Sequence, residues 1–125
     1  MDDNELGAKI IGCALVVHSA LGPGLLESVY ETCLAHELGK AGIAFHRQLA
    51  LPVVYDGIQI DAGYRVDRLV ADRVIVEVKA IEKIADVHRA QLLSYLKLGG
   101  FRLGYLLNFN VALMKSGIVR LLNGF

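Results

Sequence analysis

Between Tyr64 and Lys79 the chain reads Tyr-Arg-Val-Asp-Arg-Leu-Val-Ala-Asp-Arg-Val-Ile-Val-Glu-Val-Lys, which sets Asp67, Glu77 and Lys79 in a largely apolar stretch. If residues 71–73 form a hairpin turn, Val70 faces Val74 and, counting outward, Asp67 faces Glu77. Directly opposed residues on paired strands share a face and have Cβ atoms about 4.5–5.5 Å apart. Lys79 returns to that face two residues later, because strand side chains alternate. The other face then carries Val66, Val70, Val74, Val76 and Val78, a core pattern broken by Arg68. Opposed carboxylates destabilise a sheet unless a third charge offsets them. A divalent cation between them would do so, and Mg²⁺ commonly takes one or two carboxylates plus water and substrate phosphate. A lysine beside such a centre can position the attacking water, help to deprotonate it, or stabilise charge growing on phosphate. A plain ion pair of Lys79 with Glu77 or Asp67 on a solvated face fits the same spacing, since a D…ExK match often arises by chance.

The elements that must position these residues are legible along the chain. Asn4 or Asp3 can cap a first helix running to about Ala20, ended by Gly22-Pro23-Gly24. A second helix is expected over residues 25–40, with an apolar stripe of Leu26, Val29, Cys33 and Leu34. Three strand-like runs follow at 45–55, 58–70 and 73–80, the first two joined by a turn at Asp56-Gly57. A third helix opens at Ala85 or Asp86 and runs to Leu98, and strands at 102–109 and 117–122 finish the chain. With no repeats or linkers, the order ααβββαββ predicts one α/β domain over residues 1–125, a mixed sheet flanked by helices.

Several of these segments carry residues in a recognisable order. Gly24-Leu-Leu-Glu27-Ser-Val-Tyr30 reads G-x-x-E-x-x-Y; after Asp67…Glu77-Val-Lys79 come Gln91-Leu-Leu-Ser-Tyr95 and Leu107-Asn108-Phe109. From about Ile10 to Asn110 this set resembles the GxxExxY family, small prokaryotic proteins placed in the PD-(D/E)XK nuclease superfamily. The resemblance implies an αβββαβ core in which Asp67 and Glu77 match the acidic metal-binding positions and Lys79 the catalytic lysine. It further implies a backbone metal ligand at the carbonyl of Val78, a supporting carboxylate at Glu27, and a Q-x-x-x-Y pair at Gln91 and Tyr95 beside the site. Arg68 departs from the pattern, since relatives usually continue apolar after the aspartate.

Each of these residues also has a plainer reading. Glu27 falls in the first turn of a helix, where a carboxylate gains about 0.3–1 kcal/mol from the helix dipole. Gln91 and Tyr95 are i,i+4 neighbours that fit ordinary hydrogen bonding at a helix–sheet seam. His88 shares their face and could meet phosphate, but reads better as a surface histidine, and His18 reads as a satisfied core histidine. Gly22 and Gly24 read as a turn, not a phosphate loop, because no strand precedes them and no Lys-Ser/Thr follows. Lys83, Arg89 and Lys97 form either a modest basic rim or a solvated helix face.

Composition bounds the function. The 13 basic and 13 acidic residues cancel, which argues against a dedicated high-affinity nucleic-acid binder while leaving room for an enzyme that touches a few phosphates. Cys13 and Cys33 lie far apart without zinc-finger spacing, so buried free thiols and a reducing cytoplasm fit best. Residues 10–26 lack any charged side chain, yet the Leu-Gly-Pro-Gly stretch would break a spanning helix, and the acidic start is unlike a signal peptide. A buried helix and turn, with no membrane partner, is the expectation. Hydrophobic residues at 54% suggest surface to be covered by a second copy or a protein partner, with Leu103, Leu106, Leu107 and Leu121 as candidates. The expected activity is a Mg²⁺- or Mn²⁺-dependent phosphodiesterase acting on DNA or RNA, binding nucleic acid weakly when isolated. The alternative is a nuclease-fold module that binds nucleic acid or a protein partner without cutting.

Overall fold

Asp2, one residue ahead of the expected caps, starts the first helix by accepting the Glu5 N–H on its Oδ1 at 2.8 Å. The computed structural model describes residues 1–124, and this first element is α1 (Asp3–Leu21). Its buried residues Leu6, Ile10, Cys13, Ala14 and Val17 recur at helical spacing and form one stripe. The uncharged run from Ile10 thus continues α1 into the Gly22-Pro23-Gly24 turn, and no helix among the described residues is long and apolar enough to cross a membrane.

The next helix, α2 (Glu27–Lys40), begins later than expected and turns a different stripe inward. Tyr30, Leu34 and Leu38 are buried, whereas Leu26 precedes the helix and is 73% exposed, and Val29 is also exposed. Tyr30 fixes this rotation. Its hydroxyl donates to the Gly22 carbonyl at 2.6 Å and accepts the Leu25 N–H at 3.1 Å, while its ring stacks on Phe109 at 4.8 Å.

The two long strand-like runs each divide in two. The first gives β1 (Phe45–Ala50) and β2 (Val53–Tyr55), the second β3 (Ile58–Ile60) and β4 (Arg65–Val70). Pro52 supplies no N–H for a ladder, and an Asx turn in which Asp61 accepts the Gly63 N–H bends the chain before Tyr64. β2 and β3 therefore pair only with each other, as a ribbon turned at Asp56-Gly57. The hairpin of β4 with β5 (Val74–Lys79) has the expected register: Val70 opposite Val74, Leu69 opposite Ile75 and Arg68 opposite Val76.

The chain closes with α3 (Asp86–Gly99), β6 (Leu103–Asn108), a short 3₁₀ turn (Met114–Gly117) and β7 (Ile118–Leu122). Five strands among the described residues make a mixed sheet in the order β1-β4-β5-β6-β7, parallel only between β5 and β6. Helices α1 and α2 cover one face, packing on Val70, Val74, Val76 and Val78; α3 covers the other, packing on Leu69, Ile75 and Leu106. Gly104 on β6 lets α3 come close, since a Cβ there would lie 2.9 Å from Leu92. The mixed sheet flanked by helices is the architecture expected from the sequence.

Two further expectations differ from the structure. Val66 packs with the α3-side cluster rather than with Val70, because strand alternation breaks where Gln48 and Asp67 leave the ladder, Gln48 at φ +49°. Leu103, Leu106 and Leu107 are buried inside this chain and offer nothing to a partner, since β6 lies between β5 and β7. Exposed apolar side chains lie elsewhere, among them Leu15, Val16 and Leu26, and Val54, Tyr55 and Ile58 on the ribbon.

Candidate active site

The β4–β5 ladder opens at its far end, and side chains take over from backbone. Asp67 and Glu77 come next beyond the last ladder pair, Arg68 with Val76, and meet through side-chain hydrogen bonds rather than as a ladder pair. Asp67 Oδ2 accepts the Val78 N–H at 2.9 Å, while the Asp67 N–H donates to Glu77 Oε2 at 3.4 Å. Both carboxyls thus belong to one bonded unit on the α3 side of the sheet, as the hairpin count anticipates.

Glu77 is only 4% exposed. Burial first, then the hydrogen bond and charge of Asp67, push its carboxyl up to about 9, against the smaller opposing pull of Lys79. In the metal-free protein burial and Asp67 thus favour the protonated form of Glu77. Its Oε1 is buried with no hydrogen-bond partner, a costly arrangement for a polar atom. Among the described residues no three His, Cys, Asp or Glu side chains gather as a ready metal cage. A pair of carboxylates with one unpaired buried oxygen nonetheless suits a divalent ion that keeps several waters.

Lys79 stands at the end of β5. Ion pairs within 4 Å join Lys40 to Glu37, Arg68 to Glu31 and Arg73 to Asp3, and His46 hydrogen-bonds Asp72; none among the described residues involves Lys79. The plain ion-pair explanation of the motif thus has no contact behind it, although both Glu77 and Glu27 feel the Lys79 charge. Asn108 fastens the chain just beyond. Its Oδ1 accepts the Ile81 N–H at 3.1 Å, its Nδ2 donates to the Ile81 carbonyl at 2.9 Å, and the Phe109 N–H donates to the Lys79 carbonyl at 2.9 Å.

Glu27 is brought to this place from the opposite layer. It opens α2 directly after the turn that Tyr30 ties down, with the backbone at Ala80 near enough to act on its carboxyl. Desolvation raises its carboxyl, Lys79 lowers it, and the charge of Asp67 raises it again, which puts all three groups in one field. Tyr95 on α3 completes the ring of groups from the other side. Its hydroxyl is raised by burial, and then by the charges of Glu77, Tyr64 and Asp67. Gln91, one turn earlier, lines a cleft with Tyr95 but makes no hydrogen bond to the acid pair among the described residues. Val78 sends its side chain into the α1–α2 core.

Arg68, the residue that breaks the apolar pattern, is wholly buried and paired. It donates to Glu31 Oε1 at 2.9 Å, to the Glu31 carbonyl at 3.4 Å and to the Asp67 carbonyl at 3.0 Å, and lies 5.2 Å above the Phe45 ring. Burial lowers its pKa, with Glu31 opposing. The sequence signal for this pairing is Glu31 one helical turn after Glu27, which went unused. Tyr64, whose ring centre lies 5.9 Å from that of Tyr95, falls inside the expected strand 58–70, and only the structure sets it in the loop before β4 where it meets α3. His18 is a satisfied histidine, its Nε2 bonded to the Val111 carbonyl at 2.7 Å, and His88 Nδ1 caps α3 by accepting the Ala85 N–H at 2.8 Å. Lys83, Arg89 and Lys97 are exposed.

A family model of the PD-(D/E)XK nuclease superfamily matches residues 4–121. No curated protein and no solved structure matches the chain.

Proposed function

Because the chain belongs to the PD-(D/E)XK nuclease superfamily, we propose that it is a divalent-metal-dependent phosphodiesterase of the GxxExxY type, cutting DNA or RNA. The observation that carries this reading is the pairing of partly buried Asp67 with buried Glu77, with Glu77 Oε1 unpaired and the Lys79 ammonium uncommitted to any ion pair among the described residues. Asp67, Glu77 and the Val78 carbonyl would hold Mg²⁺ or Mn²⁺. Bound there, the ion supplies positive charge against the scissile phosphate and makes water a stronger nucleophile at neutral pH.

The remaining work falls to this chain's own groups. Lys79 orients the attacking water and offsets charge on the phosphate oxygens as the water oxygen bonds to phosphorus and one P–O ester bond breaks. Glu27 holds the Lys79 ammonium electrostatically, from a helix end that Tyr30 keeps in place. Tyr95, its phenol kept neutral by its surroundings, and Gln91 offer hydrogen bonds to the substrate beside the acid pair. The balance of 13 basic and 13 acidic residues favours a second reading, a module of the same fold that binds nucleic acid or a protein without cutting. Free Cys13 and Cys33 accord with a reducing cytoplasm.

The test is cleavage of labelled single- and double-stranded DNA and RNA with Mg²⁺ or Mn²⁺, with and without excess EDTA. Metal-dependent products that vanish with Glu77→Gln support the enzyme. Cutting undiminished by EDTA overturns the metal mechanism, and binding without cutting under all metals favours the module.

A further inference from the structure

Beside the acid pair lies a cleft of about 490 Å³, within the range of small-molecule sites, that the hydrolytic residues do not use up. Tyr95 belongs to both: its hydroxyl feels Glu77 and Asp67, and its ring forms part of the cleft wall. Tyr64 packs against that ring, centre to centre 5.9 Å and tilted 53°, so the two extend one aromatic wall, with Val53 and Leu98 adding apolar surface. Tyr64 is 42% exposed, yet its backbone is pinned: its carbonyl accepts the Leu51 N–H at 3.0 Å and Arg65 Nη1 at 2.9 Å. An exposed aromatic ring on a fixed backbone is a platform that loses little freedom when something stacks on it. Gln91 and Ser94 bring donors and acceptors to the cleft, and Lys97 brings a positive charge.

An aromatic wall, a polar edge and one cation describe a site for a flat heterocycle with a phosphate attached. Resting on the phosphodiesterase reading, we propose that the Tyr64–Tyr95 cleft receives an unpaired nucleobase flanking the scissile phosphate, so that the substrate is a single strand, an overhang or a flipped nucleotide. A base that is stacked and paired within a duplex presents only its edges and cannot place its face on Tyr64. Base–aromatic stacking is tolerant of sequence, so the cleft selects for the unpaired state and not for one base.

The test uses short oligonucleotides carrying the fluorescent base 2-aminopurine, bound to the full chain in EDTA so that nothing is cut. Single-stranded DNA and RNA probes should be quenched on binding, and blunt duplexes of the same sequence should bind at least about 5-fold more weakly, on the stacking scale. Tyr64→Ala should weaken single-strand binding by roughly 5- to 150-fold, the cost expected for one stacked base, while Tyr64→Phe retains it. Ser94→Trp, at an exposed helix position, should block the cleft and give the same loss with an unchanged melting temperature. Cleavage of both strand types by the parent, with Tyr64→Ala and Ser94→Trp binding single strands as the parent does, overturns the cleft and leaves the enzyme standing. Quenching that depends on Tyr64 without any cleavage establishes the cleft and sinks the hydrolytic reading. Equal binding of duplex and single strand, with no quenching, also overturns the inference.

Discussion

Burial and Asp67 hold the Glu77 carboxyl at about 9, against an ordinary value of 4.5, so the folded chain keeps a proton that the unfolded chain sheds. Stability from this group is complete below about pH 4.5 and is lost as pH rises towards about 9. The slope approaches about 1.4 kcal/mol per pH unit while one extra proton is held. Urea unfolding in EDTA at pH 5, 6, 7 and 8 should show the parent weakening with pH and Glu77→Gln staying nearly flat. A parent that gains stability over that range would mean that Glu77 is ionised in the fold. Lys79 differs, because in the proposed mechanism its charge serves water and phosphate and is not a ligand. Lys79→Ala should lower turnover at least about 100-fold, the usual scale for a positioned proton-transfer or charge-stabilising group, while calorimetric Mg²⁺ affinity stays near the parent's. Lost affinity with a normal single-turnover rate would reverse that assignment.

At the scale of elements, the site depends on how α2 is fastened to the sheet. Arg68 of β4 reaches both the side chain and the carbonyl of Glu31 on α2, and also the carbonyl of Asp67. Removing one partner of a buried pair leaves the other charge uncompensated, at about 3–5 kcal/mol, whereas replacing both by apolar residues is often neutral. Arg68→Met alone should destabilise by that order, and adding Glu31→Leu should recover most of it. A double-mutant cycle by chemical denaturation measures the difference; strictly additive losses would show that the two residues act separately. Tyr30 works alongside this pair, tying the Gly22 turn to Phe109 and setting where α2, and hence Glu27, begins.

For the whole molecule, zero formal charge limits how many phosphates can be neutralised at once. The slope of log affinity against log salt should therefore be shallower than about −6, the value for six or more phosphate contacts. A steeper slope would reveal a concentrated basic surface. Association is expected as well, now on account of exposed Leu15, Val16, Leu26, Val54, Tyr55 and Ile58 rather than the β6 leucines. Light scattering at high concentration should give a mass above the 13.6 kDa of one chain, and a strictly monomeric mass would count against it.

The order of helices and strands, the β4–β5 register and the meeting of Asp67 with Glu77 were legible in the sequence, because period-two alternation and a three-residue turn are local and leave one pairing, whereas the inward face of α2 was not. The same local signals could not decide contacts between segments distant along the chain. Glu27 enters the field of Lys79 only once Tyr30 docks on Phe109, and Tyr64 meets Tyr95 only once α3 has packed against Gly104. Arg68 broke the apolar pattern because a buried charge requires a partner, and that partner, Glu31, lies on another element. Even Val66 followed the tertiary structure, since alternation fails where Asp67 gives up its ladder bonds for Glu77. Local pattern chose the strands and their acids; long-range packing chose the protonation of Glu77 and the groups that surround it.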